Sequence, residues 1–294
     1  MTTQAKKIHI IINPVSGTTR KKLVAEKAKE ILDPERFDIQ VDFTEYAGHG
    51  FELASQAAAD GVDYVVAVGG DGTVNEIGRA LLNTNCAMGI IPLGSGNGLA
   101  RDLHISTNLE KALSIINKEK VITMDYGKAN DNIFFCTCGV GFDAQVAGKI
   151  KGLKDRGLKM YMETMTSTFF KYHPEEYEVV TPQGTIRDNF FLVTCANTGQ
   201  YGYNAYIAPH ADVQDGQLSI SILKPLNILD TPILGLQMFS KTLEKNKKLI
   251  SFKTNEITIK RASRGLMHID GDALIMDKDI HVRIYPKGLK VLVP

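Results

Sequence analysis

Apolar runs alternate with helix-period segments along the first 120 residues of the chain. The β-rich runs KIHIIINP, FDIQVDFT, YVVAVGG and AMGIIPLG each precede a stretch in which apolar residues recur every three or four positions. Those stretches are TTRKKLVAEKAKEIL, GFELASQAAAD, GTVNEIGRALL and, after the fourth run, GNGLARDL and NLEKALSIINK. This repeated β-α grammar predicts a parallel sheet covered by helices. Right-handed crossovers bring the carboxyl ends of such strands to one rim, where ligands bind. The turns NPVSG, GGDGT and PLGSGNG fall on that rim.

From about Val121 the pattern changes to strands of alternating or β-branched character: VITMDYGKA, NIFFCTCGV, EYEVVTPQG, RDNFFLVTCAN, QLSISIL, NEITIKR, GLMHIDGD and DIHVRIYP. Turn signals such as Pro182-Gln183-Gly184 and Asp215-Gly216 separate most of them, as in an antiparallel β domain. Two helix-like insertions, LKMYMETMTSTFFKY and NILDTPILGLQMFSKTLEKNKKL, interrupt the run. The expected fold class is an α/β N-terminal domain with a parallel sheet, residues 1–122, and a C-terminal antiparallel β-sandwich, residues 123–294. The last strand is expected to return to the first domain.

Composition narrows the function classes. A chain of 294 residues with 44% hydrophobic content builds a sizeable core, and a net charge of +1 gives a nucleic-acid partner no support. No run approaches 18 apolar residues and the N-terminus lacks the pattern of a signal peptide, so a cytoplasmic location is expected. Cys136 and Cys138, two apart, are read as core thiols on one strand face. With Cys86 and Cys195 they form no CxxC, and a zinc site is not expected. The seven histidines show no metal spacing.

The first chemical signal is the turn in YVVAVGGDGTVNEI. Gly69, Gly70 and Gly72 are free to adopt positive φ and to expose N–H groups beside a helix start, marked by Val74, Ile77 and Leu81, which suits phosphate. It is neither a Walker A loop nor GxGxxG. Asp71 beside a phosphate is repulsive unless it meets a hydroxyl, a ribose or a cation; the plain alternative makes it a helix N-cap. Two further rim turns weaken that alternative: Asn13, Pro14, Ser16 and Gly17, followed by Arg20, Lys21 and Lys22, and then Gly94, Ser95, Gly96 and Asn97. Three glycine-rich turns on one rim point to a nucleotide polyphosphate site.

In this order, NPVSG, GGDGTVNE and PLGSGNGLAR resemble the diacylglycerol kinase catalytic family, which includes bacterial soluble lipid kinases and sphingosine kinases. The likeness continues through MDYGK, APHADVQDGQLSISIL and HIDGDALI, and so covers almost the whole chain. It implies an ATP-dependent lipid kinase with the nucleotide in residues 1–122, an acceptor and magnesium domain in 123–294, and ATP between the two domains. By resemblance, ATP is held by Asn13, Pro14, Val15, Ser16 and Gly17, by Thr44, by Gly69, Gly70, Asp71, Gly72, Thr73, Val74 and Asn75, and by Ser95. Glu76 supports the turn from the helix. Asp212, Asp215 and the carbonyl of Gln217 match the magnesium positions, and Asp125 matches a member of the associated water network. Oxygen ligands on a turn suit a hard cation independently, although DVQDGQL reads equally well as an ordinary Asp-Gly turn.

A lipid hydroxyl needs a carboxylate to take its proton, and Asp270 and Asp272 are candidates. Soluble bacterial relatives usually read Asp-Gly-Glu here, so Asp272 is one methylene shorter. The sphingosine kinase likeness adds Asp71 as a third candidate. Asn97-Gly98 replaces the Asn-Asp common in bacterial relatives, which leans away from the diacylglycerol enzyme type.

The implied partner is a membrane lipid reached by peripheral membrane contact, with a homodimer also expected. Basic stretches that would serve docking are Lys149, Lys151, Lys154, Arg156 and Lys159, and Lys245, Lys247 and Lys248 after ILGLQMF. Each basic side chain near an anionic leaflet is worth about 1 kcal/mol, against the plain reading of solvated helix faces. The Met and Phe residues of LKMYMETMTSTFF line an acyl pocket or form core. Two other readings stand beside the lipid kinase. One is an NAD kinase, which shares GGDG but whose Asn-Glu motif and following glycine-rich segments are not evident. The other is a non-catalytic nucleotide- or lipid-sensing module, disfavoured because every candidate carboxylate except the one at position 98 is present.

Overall fold

The β-branched runs of the first half pair as parallel strands in the structure, a computed structural model that describes residues 5–15, 21–151 and 157–294. The chain divides into two units, Met1–Met124 with Lys287–Pro294 and Asp125–Pro286. In the first unit the elements are β1 (Lys6–Ile12), α1 (Lys21–Ile31), β2 (Phe37–Phe43), α2 (His49–Ala59), β3 (Tyr64–Gly69), α3 (Asp71–Leu81), β4 (Ala87–Pro92), α4 (Gly98–Asp102) and α5 (Leu109–Ile116). The sheet order is β2-β1-β3-β4, all parallel. Every position of β3 and β4 is buried, which is why these runs are continuously apolar rather than alternating. Helix α3 buries Val74, Ile77 and Leu81, the stripe expected from their spacing. Near the end of the chain, Val291 pairs in parallel with Met88 of β4.

A charged cluster ties together segments of this unit that are distant in sequence. Glu119 accepts hydrogen bonds from Lys6 Nζ and Arg36 Nη2 and, at 2.9 Å, from the Tyr64 hydroxyl. Burial alone would push the Glu119 carboxyl up, but the Lys6, Arg36 and Tyr64 hydrogen bonds prevail and hold it down at about 2.

The second unit holds most of β5 (Val121–Ala129), then β6 (Asn132–Phe134), β7 (Thr137–Gly141), α6 (Phe142–Ile150), α7 (Leu158–Phe169), β8 (Glu175–Thr181), β9 (Gly184–Phe190), β10 (Leu192–Ala196), β11 (Leu218–Leu223), α8 (Thr231–Phe239), β12 (Leu249–Thr254), β13 (Glu256–Arg261), β14 (Gly265–Ile269), β15 (Asp272–Met276) and β16 (Asp279–Leu292). One antiparallel layer contains β16-β13-β8-β9, with β5 beside β16 and β6 beside β5, and the other is β12-β11-β10-β7-β14-β15. Their facing side chains form one core, with Phe134, Tyr177, Ile259 and Val282 from the first layer and Val140, Val193, Ile220 and Met267 from the second. The expected α/β domain and β-sandwich are the architecture observed.

Three segmental expectations change. NIFFCTCGV is not one strand: it breaks at residues 135–136, where Asp270 draws the backbone N–H groups out of the ladder. Cys136 lies in that break and shares no strand with Cys138, though all four cysteines are buried free thiols. RDNFFLVTCAN crosses from one layer to the other at Phe191, whose N–H donates to the Leu223 carbonyl at 2.7 Å. The second helical insertion contains only nine helical residues, flanked by 3-10 turns at Ile228–Asp230 and Leu243–Lys245. Pro232 sits in its first turn, and Lys241 takes a left-handed φ of 58° just after its end.

The Glu119 carboxyl is more acidic folded, at about 2, than its ordinary value of 4.5. Its stabilisation is therefore present above pH 4.5 and is lost as pH falls towards 2. Urea midpoints measured across that window should fall more steeply for the native chain than for Glu119→Gln, which should already be less stable at pH 7.

Candidate active site

Parallel register sets the first half of the site. Ile12 lies opposite Phe43 and Val68, and Gly69 lies opposite Pro92. The strand ends are therefore level, and Asn13, Thr44, the turn after Gly69 and the turn before Asn97 share one rim. Asn13 Nδ2 donates to Thr73 Oγ1 at 3.0 Å, joining the β1 turn to the first turn of α3, while Asn13 Oδ1 accepts from the N–H of Val15 at 2.9 Å. Thr44 N–H donates to the Ile12 carbonyl at 2.9 Å, and Ser95 is exposed on its turn. Ser16, Gly17 and Arg20 lie outside the described residues.

The glycines of GGDG are needed for close approach rather than for positive φ. Gly70 has φ −96°, and neither Gly69 nor Gly72 is in the left-handed region. A Cβ on Gly69 would meet Thr73 Oγ1 at 2.4 Å, and one on Gly94 would meet the Gly70 Cα at 2.5 Å. The two turns thus pack backbone against backbone. Gly72 faces open space, with nothing within 4 Å of a built Cβ.

Asp71 is not the N-cap of its own helix, since Gly70 holds that position. Its carboxylate instead accepts the N–H of Asn97 at 2.8 Å and that of Gly98 at 2.6 Å, at the start of α4. Asn97 has φ 50° and closes the PLGSGNG turn on itself, accepting from the Gly94 N–H at 3.0 Å and donating to the Gly94 carbonyl at 2.8 Å. Glu76 points to the neighbouring helix, where it accepts the N–H of Phe51 in the first turn of α2 at 3.2 Å. Val74 is buried on the core side of α3, and Asn75 is half-buried in its first turns.

In the second unit, residues 212–217 form a turn rich in carboxylates. Asp212 Oδ1 accepts the N–H of Gln214 at 2.9 Å, and Asp215 Oδ1 accepts that of Gln217 at 2.9 Å. Gly216 takes φ 70° and donates its N–H to Asp125 Oδ2 at 2.7 Å, and the Asp125 N–H donates to the Val213 carbonyl at 2.7 Å. The fully buried Asp125 therefore clamps the turn. Lys253 Nζ lies 2.6 Å from Asp215 Oδ2. Among the described residues no group of three or more His, Cys, Asp or Glu is arranged to hold a metal ion. The donor chemistry of the turn, two carboxylates and the Gln217 carbonyl, fits a hard cation, while one Asp215 oxygen is taken by the Lys253 ammonium.

HIDGDALI is a two-residue β-hairpin. Ile269 pairs with Asp272 across the turn, while Asp270 and Gly271 take φ 48° and 85°, the mirror-turn conformation favoured by Asp-Gly. Asp270 accepts N–H groups from Phe135 at 2.9 Å, Cys136 at 2.8 Å and Thr137 at 3.1 Å. Asp272 is exposed, and no described residue donates to its carboxylate. Of the three candidate bases, it alone keeps its lone pairs open to an acceptor.

Two features were not legible from motifs. Buried Asn197 donates to the carbonyls of Asp125 at 2.9 Å and Phe135 at 2.8 Å, joining the two aspartate-clamped segments, and its Oδ1 has no partner among the described residues. Buried Asp143 accepts hydrogen bonds from Thr194 at 2.8 Å and Tyr201 at 3.0 Å and lies 3.1 Å from His268 Nε2. Both sit in apolar stretches where a lone polar residue carries no pattern. The aromatic helix α7 is read as core at Met165 and Phe169, which pack with Phe142 and Phe191.

The two units thus pair a sheet rim with backbone-packed glycine turns and a β-sandwich that bears a carboxylate-rich turn. The chain belongs to the diacylglycerol kinase catalytic family: the diacylglycerol kinase catalytic domain matches residues 7–129, and the YegS C-terminal NAD kinase beta sandwich-like domain matches residues 136–293. It is 25% identical to a diacylglycerol kinase of Bacillus subtilis over 91% of this chain and 90% of that protein. It is 26% identical to a Shewanella frigidimarina protein named "Probable lipid kinase YegS-like" over 82% of this chain and 79% of that one. A Bacillus anthracis diacylglycerol kinase structure superposes with a TM-score of 0.75 at 21% identity, over 99% of this chain and 98% of that one. An Archaeoglobus fulgidus NAD kinase structure, at 0.53 and 13% identity over 97% and 93%, shares the fold more distantly.

Gly94→Ala should force the two glycine turns apart, because the added methyl meets backbone rather than a flexible side chain. Titration with a fluorescent ATP analogue should show affinity reduced by about tenfold or more, at a strain of roughly 1–3 kcal/mol. Unchanged affinity would place the nucleotide elsewhere.

Proposed function

We propose that the protein transfers the γ-phosphoryl group of ATP to a hydroxyl of a membrane lipid such as a diacylglycerol, a sphingoid base or a related lipid, acting from the cytoplasm at the membrane surface. The family membership supports the class of reaction. The observation that carries the chemistry is Asp272, exposed at a hairpin end with its carboxylate unoccupied, while Asp71 and Asp270 are engaged by backbone N–H groups.

In this reading the rim of the first unit holds the triphosphate. The first turn of α3 presents backbone N–H groups and its positive dipole end, and Asn13, Thr73 and Ser95 offer polar side chains around them. The backbone of residues 13–17 and Thr44 completes the nucleotide set. Asp71 acts through the Asn97-Gly98 turn, holding it in register beside Gly70. On the acceptor side, Asp272 takes the proton of the lipid hydroxyl as its oxygen bonds to the γ-phosphorus and the bond to the β-phosphate oxygen breaks, leaving ADP. Magnesium, when bound, neutralises phosphate charge. Asp212, Asp215 and the Gln217 carbonyl are the groups that would hold it, with Asp125 fixing their turn and Lys253 vacating Asp215.

Labelled ATP and magnesium, offered with a panel of diacylglycerol, monoacylglycerol, sphingoid base, ceramide, phosphatidylglycerol and NAD, should label a lipid and leave NAD unlabelled; NADP alone would overturn the proposal. Asp272→Asn should lower kcat by about 10²–10⁴-fold with the melting temperature unchanged. Asp270→Asn should lower the melting temperature as well, and a fully active Asp272 variant would refute the base assignment. Lys253→Met should tighten magnesium binding measured by calorimetry without nucleotide; weaker binding would show that Lys253 supports the turn instead of competing at it.

A further inference from the structure

Helix α8 is apolar on the outside. Leu234 and Met238, one turn apart, pack inward against the core with Leu226 and Leu249, and they anchor the helix. Ile228, Leu229, Ile233, Leu236 and Phe239 face outward; Leu229 is 83% and Leu236 70% exposed. Leu229, Ile233 and Leu236 follow the i, i+4, i+7 spacing of a single stripe. No residue of the helix is buried, so this outer set adds little to the fold.

The charge around the stripe has one sign. Residues 224–248 carry five lysines against two acids. Both acids already have partners: Asp230 pairs with Lys248 at 2.6 Å, and Glu244 lies 3.5 Å from His210. Lys224, Lys241, Lys245 and Lys247 are exposed and form no ion pair with any described residue. Protein interfaces are depleted in lysine, whereas helices lying in a lipid interface set an apolar face within a lysine frame. The other basic stretch is different. Lys149 donates to Thr168 and Lys151 to the Ala273 carbonyl, Lys159 lies 3.9 Å from Glu163, and Lys154 and Arg156 lie outside the described residues.

We propose that the outer face of α8, with its preceding 3-10 turn and flanking lysines, is the surface by which the protein docks on an anionic bilayer. Leu229, Ile233, Leu236 and Phe239 enter the headgroup boundary, and Lys224, Lys241, Lys245 and Lys247 meet anionic headgroups. No helix of the described residues is long and apolar enough to cross a membrane, and docking of this kind is reversible. The assignment deepens the lipid kinase reading by naming the surface that meets the acceptor's membrane. Its test scores binding without ATP, so a failure of docking and a failure of turnover are read separately.

The experiment is co-sedimentation of the full chain with vesicles of phosphatidylcholine alone and of phosphatidylcholine mixed with phosphatidylglycerol. The native chain should bind the mixed vesicles and release as salt is raised. Leu229→Glu with Leu236→Glu, and separately Lys245→Glu with Lys247→Glu, should each lower partitioning by about tenfold or more. Both should keep the native melting temperature and native turnover of a short-chain, water-soluble acceptor. Native-level binding by both variants, or no binding by the native chain, would overturn the proposal. A native dimer in light scattering that the leucine variant splits would also overturn it, by giving the face to a second copy of the chain.

Discussion

The charge-assisted hydrogen bond from a turn's backbone N–H to an aspartate is the contact on which the motif turns of each unit depend. Asp71 takes two such N–H groups at the start of α4, Asp125 takes one from Gly216, and Asp270 takes three from residues 135–137. Each N–H belongs to a helix start, a turn or a ladder break, where regular structure supplies no acceptor. A carboxylate there satisfies groups that would otherwise need water, and such bonds are about twice as strong as neutral ones. The three aspartates thereby set the path of the backbone at three of the turns that the sequence motifs mark.

This use of carboxylates divides their roles. Asp71 and Asp270 are engaged by two and three backbone donors, whereas Asp272 lies at the exposed end of the hairpin that Asp270 secures and accepts from no described residue. Asp270 and Asp272 are separated by a single glycine in sequence, yet one is engaged by three backbone N–H groups and the other is exposed. Asp215 occupies a middle position, with one oxygen on Gln217 N–H and the other facing Lys253. A cation is already part of that turn's charge balance.

Much of the fold was legible from periodicity. The β-α repeat, the buried stripe of α3 and the change to antiparallel strands after Val121 each follow from spacing that backbone geometry imposes locally. The breaks were not legible, because NIFFCTCGV and RDNFFLVTCAN carry no turn signal at residues 135–136 or at Phe191; what divides the first is Asp270, distant in sequence, and what divides the second is a change of layer. The glycines of GGDG were legible as necessary but for a different reason. Gly69 leaves room for the Thr73 side chain and Gly70 lets Gly94 approach, the latter a contact between residues 24 apart in the chain that no local rule contains.

The order of motifs along the chain determined the family and the architecture, because short glycine and aspartate patterns encode turn geometry directly. Which aspartate is engaged by backbone donors and which is exposed without one among the described residues was decided only by tertiary structure. An isolated aspartate is the same acceptor everywhere; its role depends on which N–H groups the folded chain brings within 3 Å of it, as Asp270 and Asp272 show two positions apart. The same holds for ILGLQMF, whose sequence does not say which of its apolar residues are covered: the fold packs Leu234 and Met238 against the core and leaves Ile233, Leu236 and Phe239 exposed.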